Sequence, residues 1–193
     1  KGRFSFDGSI YSTWFKNYIY GDLTGRLCDD DGVCAVGGDG TLTELFYRQQ
    51  GAHFRGVEGE AHLELLKTDG GRLEFKLLGD YTRATLDDGN NVPRIPPYRV
   101  GGGLDWQGDR FDAGLTFTHS GRQDKFGTFD TPTPGYNMLN AQLAWRPFKD
   151  RPGVEFAIVG QNLTDDVQRN AAAFNRDVVV MPGRNVRFVF KAA

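Results

Sequence analysis

The residues able to do chemistry are few, and several sit close together. Cys28 and Cys34 bracket an acidic, glycine-containing stretch, CDDDGVC, in a chain with no other cysteine. Two thiols so close across a polar loop are expected to form a small disulfide-closed loop in an oxidising compartment. A structural zinc site would need a second ligand pair, and none follows. Clustered carboxylates suit hard cations, so Asp29 and Asp31 are candidate metal ligands, although they lack the alternating spacing of a calcium loop. Among His53, His62 and His119, the candidates for a softer metal are His62 and His119, and His62 sits among glutamates. Glu58 and Glu60 form a carboxylate pair of the kind used in acid–base catalysis. They share one strand face with many other polar groups, however, and a polar lining explains them better. VGGDGTL is not a phosphate loop, because no helix pattern or Lys-Ser/Thr follows it. No nucleophile is paired with a base, so the chain is read as a non-enzyme without a cofactor.

The elements carrying these residues read as strands. Apolar Phe4, Phe6, Ile10 and Trp14 alternate with Arg3, Ser5, Asp7 and Ser9. Val57, Ala61, Leu63 and Leu65 oppose Glu58, Glu60, His62 and Glu64. The same period of two runs through RLEFKLL, YRVGGGLDW, RFDAGLTFTH, the stretch Leu139–Trp145, VEFAIVGQN and NVRFVFK. About eight antiparallel strands are expected, with helical periodicity nearly absent. Four charged or ionisable side chains on one strand face could not sit in a sealed apolar core. They require open solvent or a water-filled interior.

Connections alternate in length. Short ones fall at 67–71, 107–109 and 147–153, and long ones at roughly 19–42, 83–97, 120–135 and 165–183. An outer-membrane barrel sorts its loops this way, with short turns at one end and long loops at the other. Trp14, Tyr98, Trp106, Tyr136 and Trp145 fall at or near expected strand ends, where amphipathic rings suit a lipid–water interface. Only 39% of the residues are hydrophobic, and no apolar run is long enough for a spanning helix. A spanning strand needs only about 9–11 residues, apolar at every second one. The net charge of −2, with signs interleaved, offers no basic stripe for nucleic acid.

GQNLTDDVQRNAAAFNRDVVVMPGRNVRFVF resembles the C-terminal end of TonB-dependent outer-membrane receptors. The matching positions are Asn162, Leu163, Thr164 and Asp165, a long loop, then Pro182, Gly183, Arg184 and a last strand. Phe54, Gly56, Val57 and Glu58 resemble the family's Gly-(Val/Phe)-Glu strand, and RIPPYRVGGGLDW its Pro-rich entry into a descending strand. The resemblance implies an all-β, antiparallel transmembrane barrel wall, about eight strands of a larger barrel of roughly 22. Residues 1–193 are then expected to be the C-terminal barrel segment, with the plug and earlier strands supplied by the rest of a longer protein. Implied too are a bacterial outer-membrane location and uptake of a scarce nutrient: a metal chelate, siderophore, vitamin or similar. The implied partners are outer-membrane lipid, the remaining strands and plug, the TonB–ExbB–ExbD complex and a small-molecule or metal-chelate ligand.

Two other architectures share the alternation: a complete eight-stranded barrel acting as anchor or adhesin, and a soluble β-sandwich binding module. For the cysteines the expectation is direct. Non-reduced peptide mapping of native membranes should return a peptide cross-linked between Cys28 and Cys34; two free thiols would contradict it.

Overall fold

The computed structural model describes residues 3–151 and 153–192. Nine strands follow in chain order: β1 (Phe4–Cys28), β2 (Cys34–Val36), β3 (Leu42–Thr68), β4 (Gly71–Leu86), β5 (Arg99–Gly108), β6 (Phe111–Ser120), β7 (Tyr136–Trp145), β8 (Glu155–Gln161) and β9 (Asn185–Lys191). They form one antiparallel sheet in the order β2-β1-β3-β4-β5-β6-β7-β8-β9. No second sheet packs against it among the described residues, so the sandwich is excluded. β1 and β9 do not pair there either, so the sheet is open and is not a closed eight-stranded barrel.

Register explains why the sheet has two chemically different faces. Phe4, Leu63, Phe75, Leu104, Leu115 and Ala141 are successive cross-strand partners in one row. One residue along, Ser5, His62, Lys76, Gly103, Thr116 and Asn140 form the adjacent row. Side chains alternate across a pleated strand, so the first row lies on one face and the second on the other. The apolar face is bare: Ile10 is 86% exposed and Phe117 44%. A contiguous apolar surface of this extent needs an apolar partner phase.

At the short-turn end Phe111, Trp145, Phe156 and Phe190 make an aromatic ladder across β6–β9, with neighbouring centroids 6.4, 6.0 and 5.1 Å apart. Eight residues up β6, His119 contacts Tyr98 at the other end (centroids 5.8 Å). At about 3.3 Å per residue these two levels bound roughly 26 Å of strand, the scale of an apolar band crossed by tilted strands.

Two expectations are corrected. The strand expected to stop near Trp14 continues to Cys28, and β3 begins at Leu42. Most of the expected loop 19–42 is therefore a strand pair projecting beyond the others. Register shifts between Phe15 and Tyr18, and again between Leu23 and Leu27, break the period of two there. The first shift also turns Tyr18 and Tyr20 onto the polar face, opposite to Trp14, which sits within β1 and not near its end. The short connections hold: Thr68 pairs with Gly71 around Asp69-Gly70, the dipeptide a two-residue hairpin prefers. Of the expected turn 147–153, Pro152 lies outside the described residues, as does Ala193.

Substitution across the two faces should be asymmetric. Leu115→Arg, at the middle of the apolar face, is expected to cost about 2–4 kcal/mol in the membrane-inserted protein. Thr116→Arg, one residue along, should cost little. Urea unfolding in vesicles measures both, and equal penalties would contradict the assignment of faces.

Candidate functional site

The polar face carries the candidate site in two levels. Along the wall, Asp7, Ser9 and Tyr11 of β1, Glu58 and Glu60 of β3, Asp80 and Thr82 of β4 and Arg99 of β5 line a recess of about 640 Å³. The period of two places them together, because each sits at an inward position in register with the next. Arg99 donates from Nε to both Asp80 oxygens at 3.3 and 3.0 Å, and Tyr11 and Thr82 share a hydroxyl hydrogen bond of 2.6 Å. Carboxylates outnumber cations in this recess, which therefore favours cationic or donor-rich groups.

Toward the short turns the wall tightens into an ion network. His62 bridges Glu60 at 2.9 Å and Glu74 at 2.5 Å, using both ring nitrogens, and Lys76 meets Asp105 at 2.8 Å. At the rim Arg146 joins four backbone segments. It grips Asp112 at 2.6 and 2.9 Å, reaches Glu155 at 3.1 Å and donates to the Gly108 carbonyl at 2.6 Å. These contacts, led by Asp112, hold the Arg146 guanidinium above its ordinary pKa.

Above the wall the long loops fold over the same face. Val92 is fully buried and packs with Tyr20, Ala52, Ala84 and Leu86, so the loop 87–98 returns onto the inward side of β1, β3 and β4. Asp130 then ties three loops together. Arg176 reaches it at 2.6 Å and Arg94 at 3.9 Å, and Arg94 lies over the Phe174 ring at 4.0 Å. Arg94 has a φ of 62° and donates to the Gly21 carbonyl. Burial lowers its pKa, against the attraction of Asp130. Asn91 donates to the Phe126 carbonyl at 2.9 Å and Gln123 to that of Ile95 at 2.7 Å. Among the described residues, three buried side-chain polar atoms have no partner, all in these loops: Thr133 Oγ1, Gln168 Nε2 and Arg176 Nε.

The candidate metal ligands do not converge. Asp29 and Asp31 lie in the β1–β2 turn, where Asp29 accepts backbone amides of Asp31 and Val33 at 3.1 and 2.8 Å, as a turn-forming aspartate does. His62 lies on the polar face. His119 lies on the apolar one, hydrogen-bonded to Asn137 at 2.8 Å. Cys28 and Cys34 are joined as a disulfide between paired residues of β1 and β2. Glu44 is close to both sulfurs, but their bond leaves no thiolate for a metal.

The residues of the C-terminal resemblance do converge. Asp165 accepts the Arg184 backbone amide and its guanidinium, each at 3.0 Å, while Asn162 donates to the carbonyls of Asp166 and Pro182. Leu163 meets Gly160 and the Leu139 carbonyl, and Gly183 approaches Asp165. Asn162 and Asp165 have φ of 49° and 56°, a conformation short polar side chains tolerate. The two ends of the loop 162–184 are thereby clamped together.

A profile of the family described as TonB dependent receptor-like, beta-barrel, matches residues 1–163. The chain belongs to this TonB-dependent receptor β-barrel family. Its fold is similar to that of a solved structure named copper transporter OprC, with a TM-score of 0.74 and 16% identity. That similarity covers 96% of this chain and 28% of the OprC chain, so the strands described here span just over a quarter of that protein. TonB-dependent receptors reside in the bacterial outer membrane, and the nine-stranded sheet is barrel wall of that type.

Arg94, Asp130, Arg176 and Arg146 were not marked in the sequence. Arg94, Asp130 and Arg176 meet from segments far apart, Arg146 joins its own partners at the short-turn end, and the RIPP that Arg94 opens reads in sequence only as a Pro-rich entry into a strand. The cap should depend on the Asp130 carboxylate, whose side chain is 5% exposed. Asp130→Ala leaves Arg176 uncompensated, at a local cost of about 3–5 kcal/mol. Limited proteolysis of the full receptor should then cut within 121–135 and 162–184 while the strands stay protected. An unchanged digestion pattern would contradict this role.

Proposed function

We propose that this chain forms part of the wall and the ligand-facing loops of an outer-membrane transporter. It takes up a scarce nutrient, such as a metal chelate, siderophore or vitamin, by TonB-dependent transport. The observation that carries the proposal is the division of one sheet into a bare apolar face and a polar face closed over by three interlocked loops. Lipid covers the first, and the ligand passage runs along the second. The Asp130-centred loops lie at the extracellular mouth, and the disulfide-tied hairpin projects beyond it. The acidic wall around Glu58, Glu60, Asp80 and His62 faces the lumen and the plug.

In this account the remaining strands close the barrel, the plug blocks it, and the TonB–ExbB–ExbD complex supplies the work of opening. The chain's own residues shape the lumen and select at the mouth; they carry out no covalent chemistry. The name of the structurally similar copper transporter makes copper the first ligand to test.

The test uses the full receptor in a strain lacking it. Uptake of labelled copper, a ferric siderophore and cobalamin is measured with and without TonB. One ligand should accumulate only when both receptor and TonB are present. Receptor-dependent uptake that persists without TonB would contradict the proposal.

A further inference from the structure

Across β1, β3 and β4 the described outward face is apolar from the short turns up to a band of positive charge. Ser12, Arg55 and Arg83 are cross-strand partners in a row on that face. Directly below is the row Ile10, Val57 and Tyr81, and directly above are Trp14 and His53, stacked with centroids 4.4 Å apart. The two arginines therefore sit at the upper rim of the apolar band, between aliphatic side chains and interfacial rings.

Arg55 and Arg83 are directly opposed, which brings their Cβ atoms within about 4.5–5.5 Å and makes the pair repulsive. Among the described residues neither meets a carboxylate. Arg83 also lines a recess of about 190 Å³ between the top of β4 and the returning loops, shared with Tyr98, Pro96, Arg122 and Lys125. Its single carboxylate, Asp124, is already held by Arg122 at 2.6 Å. Both neighbours of β3 and β4 are present here, and a plug in the lumen could not reach an outward face. The excess positive charge is open to the membrane.

We propose that Arg55 and Arg83 bind the phosphate of a phosphorylated outer-leaflet lipid whose acyl chains lie on the apolar band below. This rests on the membrane orientation given under Proposed function. A phosphate between the two guanidinium groups replaces their repulsion with charge-assisted, fork-type hydrogen bonds. A soluble anion would use the charges alone. A lipid also uses Val57, Tyr81 and Trp14, which adjoin them, and this favours the lipid over free phosphate or an acidic peptide.

The experiment compares the full receptor with its Arg55→Gln/Arg83→Gln variant in phosphatidylcholine vesicles doped with bisphosphorylated lipid A. Native mass spectrometry after detergent extraction counts the lipid A retained per receptor. The variant should retain lipid A about tenfold more weakly, the loss expected for charge-assisted contacts. Arg55→Lys/Arg83→Lys should restore part of it, and Arg110→Gln, at the opposite end of the strands, should leave it unchanged. Equal retention by the wild-type and Gln variants, both inserted and heat-modifiable, overturns the proposal and leaves the transporter account standing. Displacement of lipid A by inorganic phosphate alone, at comparable concentration, overturns it in favour of a soluble-anion site. A wild-type receptor that fails to insert at all overturns the membrane orientation, and this proposal with it.

Discussion

Backbone hydrogen bonding is the constraint on which the rest of the structure depends. In hydrocarbon an unpaired N–H or C=O has no water to turn to, so each strand must be satisfied by its neighbours. The ladders from β3 through β7 meet this across the apolar band, with Phe75, Leu104 and Leu115 in continuous register. Register shifts fall toward the ends: two in the projecting part of β1, and one between Glu64 and Leu66 near the short turns. Extra residues are tolerated where water can reach the backbone they leave unpaired. Once register is fixed, every side chain is committed to one face, and a one-residue slip would put Glu74 and Lys76 where Phe75 and Leu77 now lie.

That commitment lets one sheet serve two solvents. The inward face holds its charges in networks, His62 with Glu60 and Glu74, Lys76 with Asp105, and Arg146 with Asp112 and Glu155. Removing a partner there would leave a charge uncompensated, which costs more than the pair contributes when intact. The loop cap follows the same logic at smaller scale, with two arginines against Asp130 and a small apolar cluster beneath. Its three unpartnered side-chain polar atoms make it the least satisfied part of the described molecule, and so a region of low local stability.

Much of this was legible in the sequence. β5 and β6 begin and end within a residue or two of where alternation and turn residues put them. The Cys28–Cys34 bridge followed from spacing in a chain with no other thiol. The projecting halves of β1 and β3 were not legible, because bulges at Phe15–Tyr18 and Leu23–Leu27 reset the period and a long strand then looks like a loop. The Arg94–Asp130–Arg176 cluster was hidden for another reason. Its members lie in three irregular loops, and no local pattern records a meeting of segments so far apart. His62 and His119 lie on opposite faces, as the alternation already indicates: His62 is in phase with Glu58 and Glu60, His119 with Leu115 and Phe117.

The central claim is that successive residues of one strand meet different solvents. Spin labels placed singly at residues 113 to 118 of the full receptor, reconstituted in vesicles, test it by collision with oxygen and with a water-soluble nickel chelate. Labels at Ala113, Leu115 and Phe117 should favour oxygen, and those at Gly114, Thr116 and Thr118 the chelate or neither, with a period of two. A smooth profile along β6, or alternation in the opposite phase, would contradict the account.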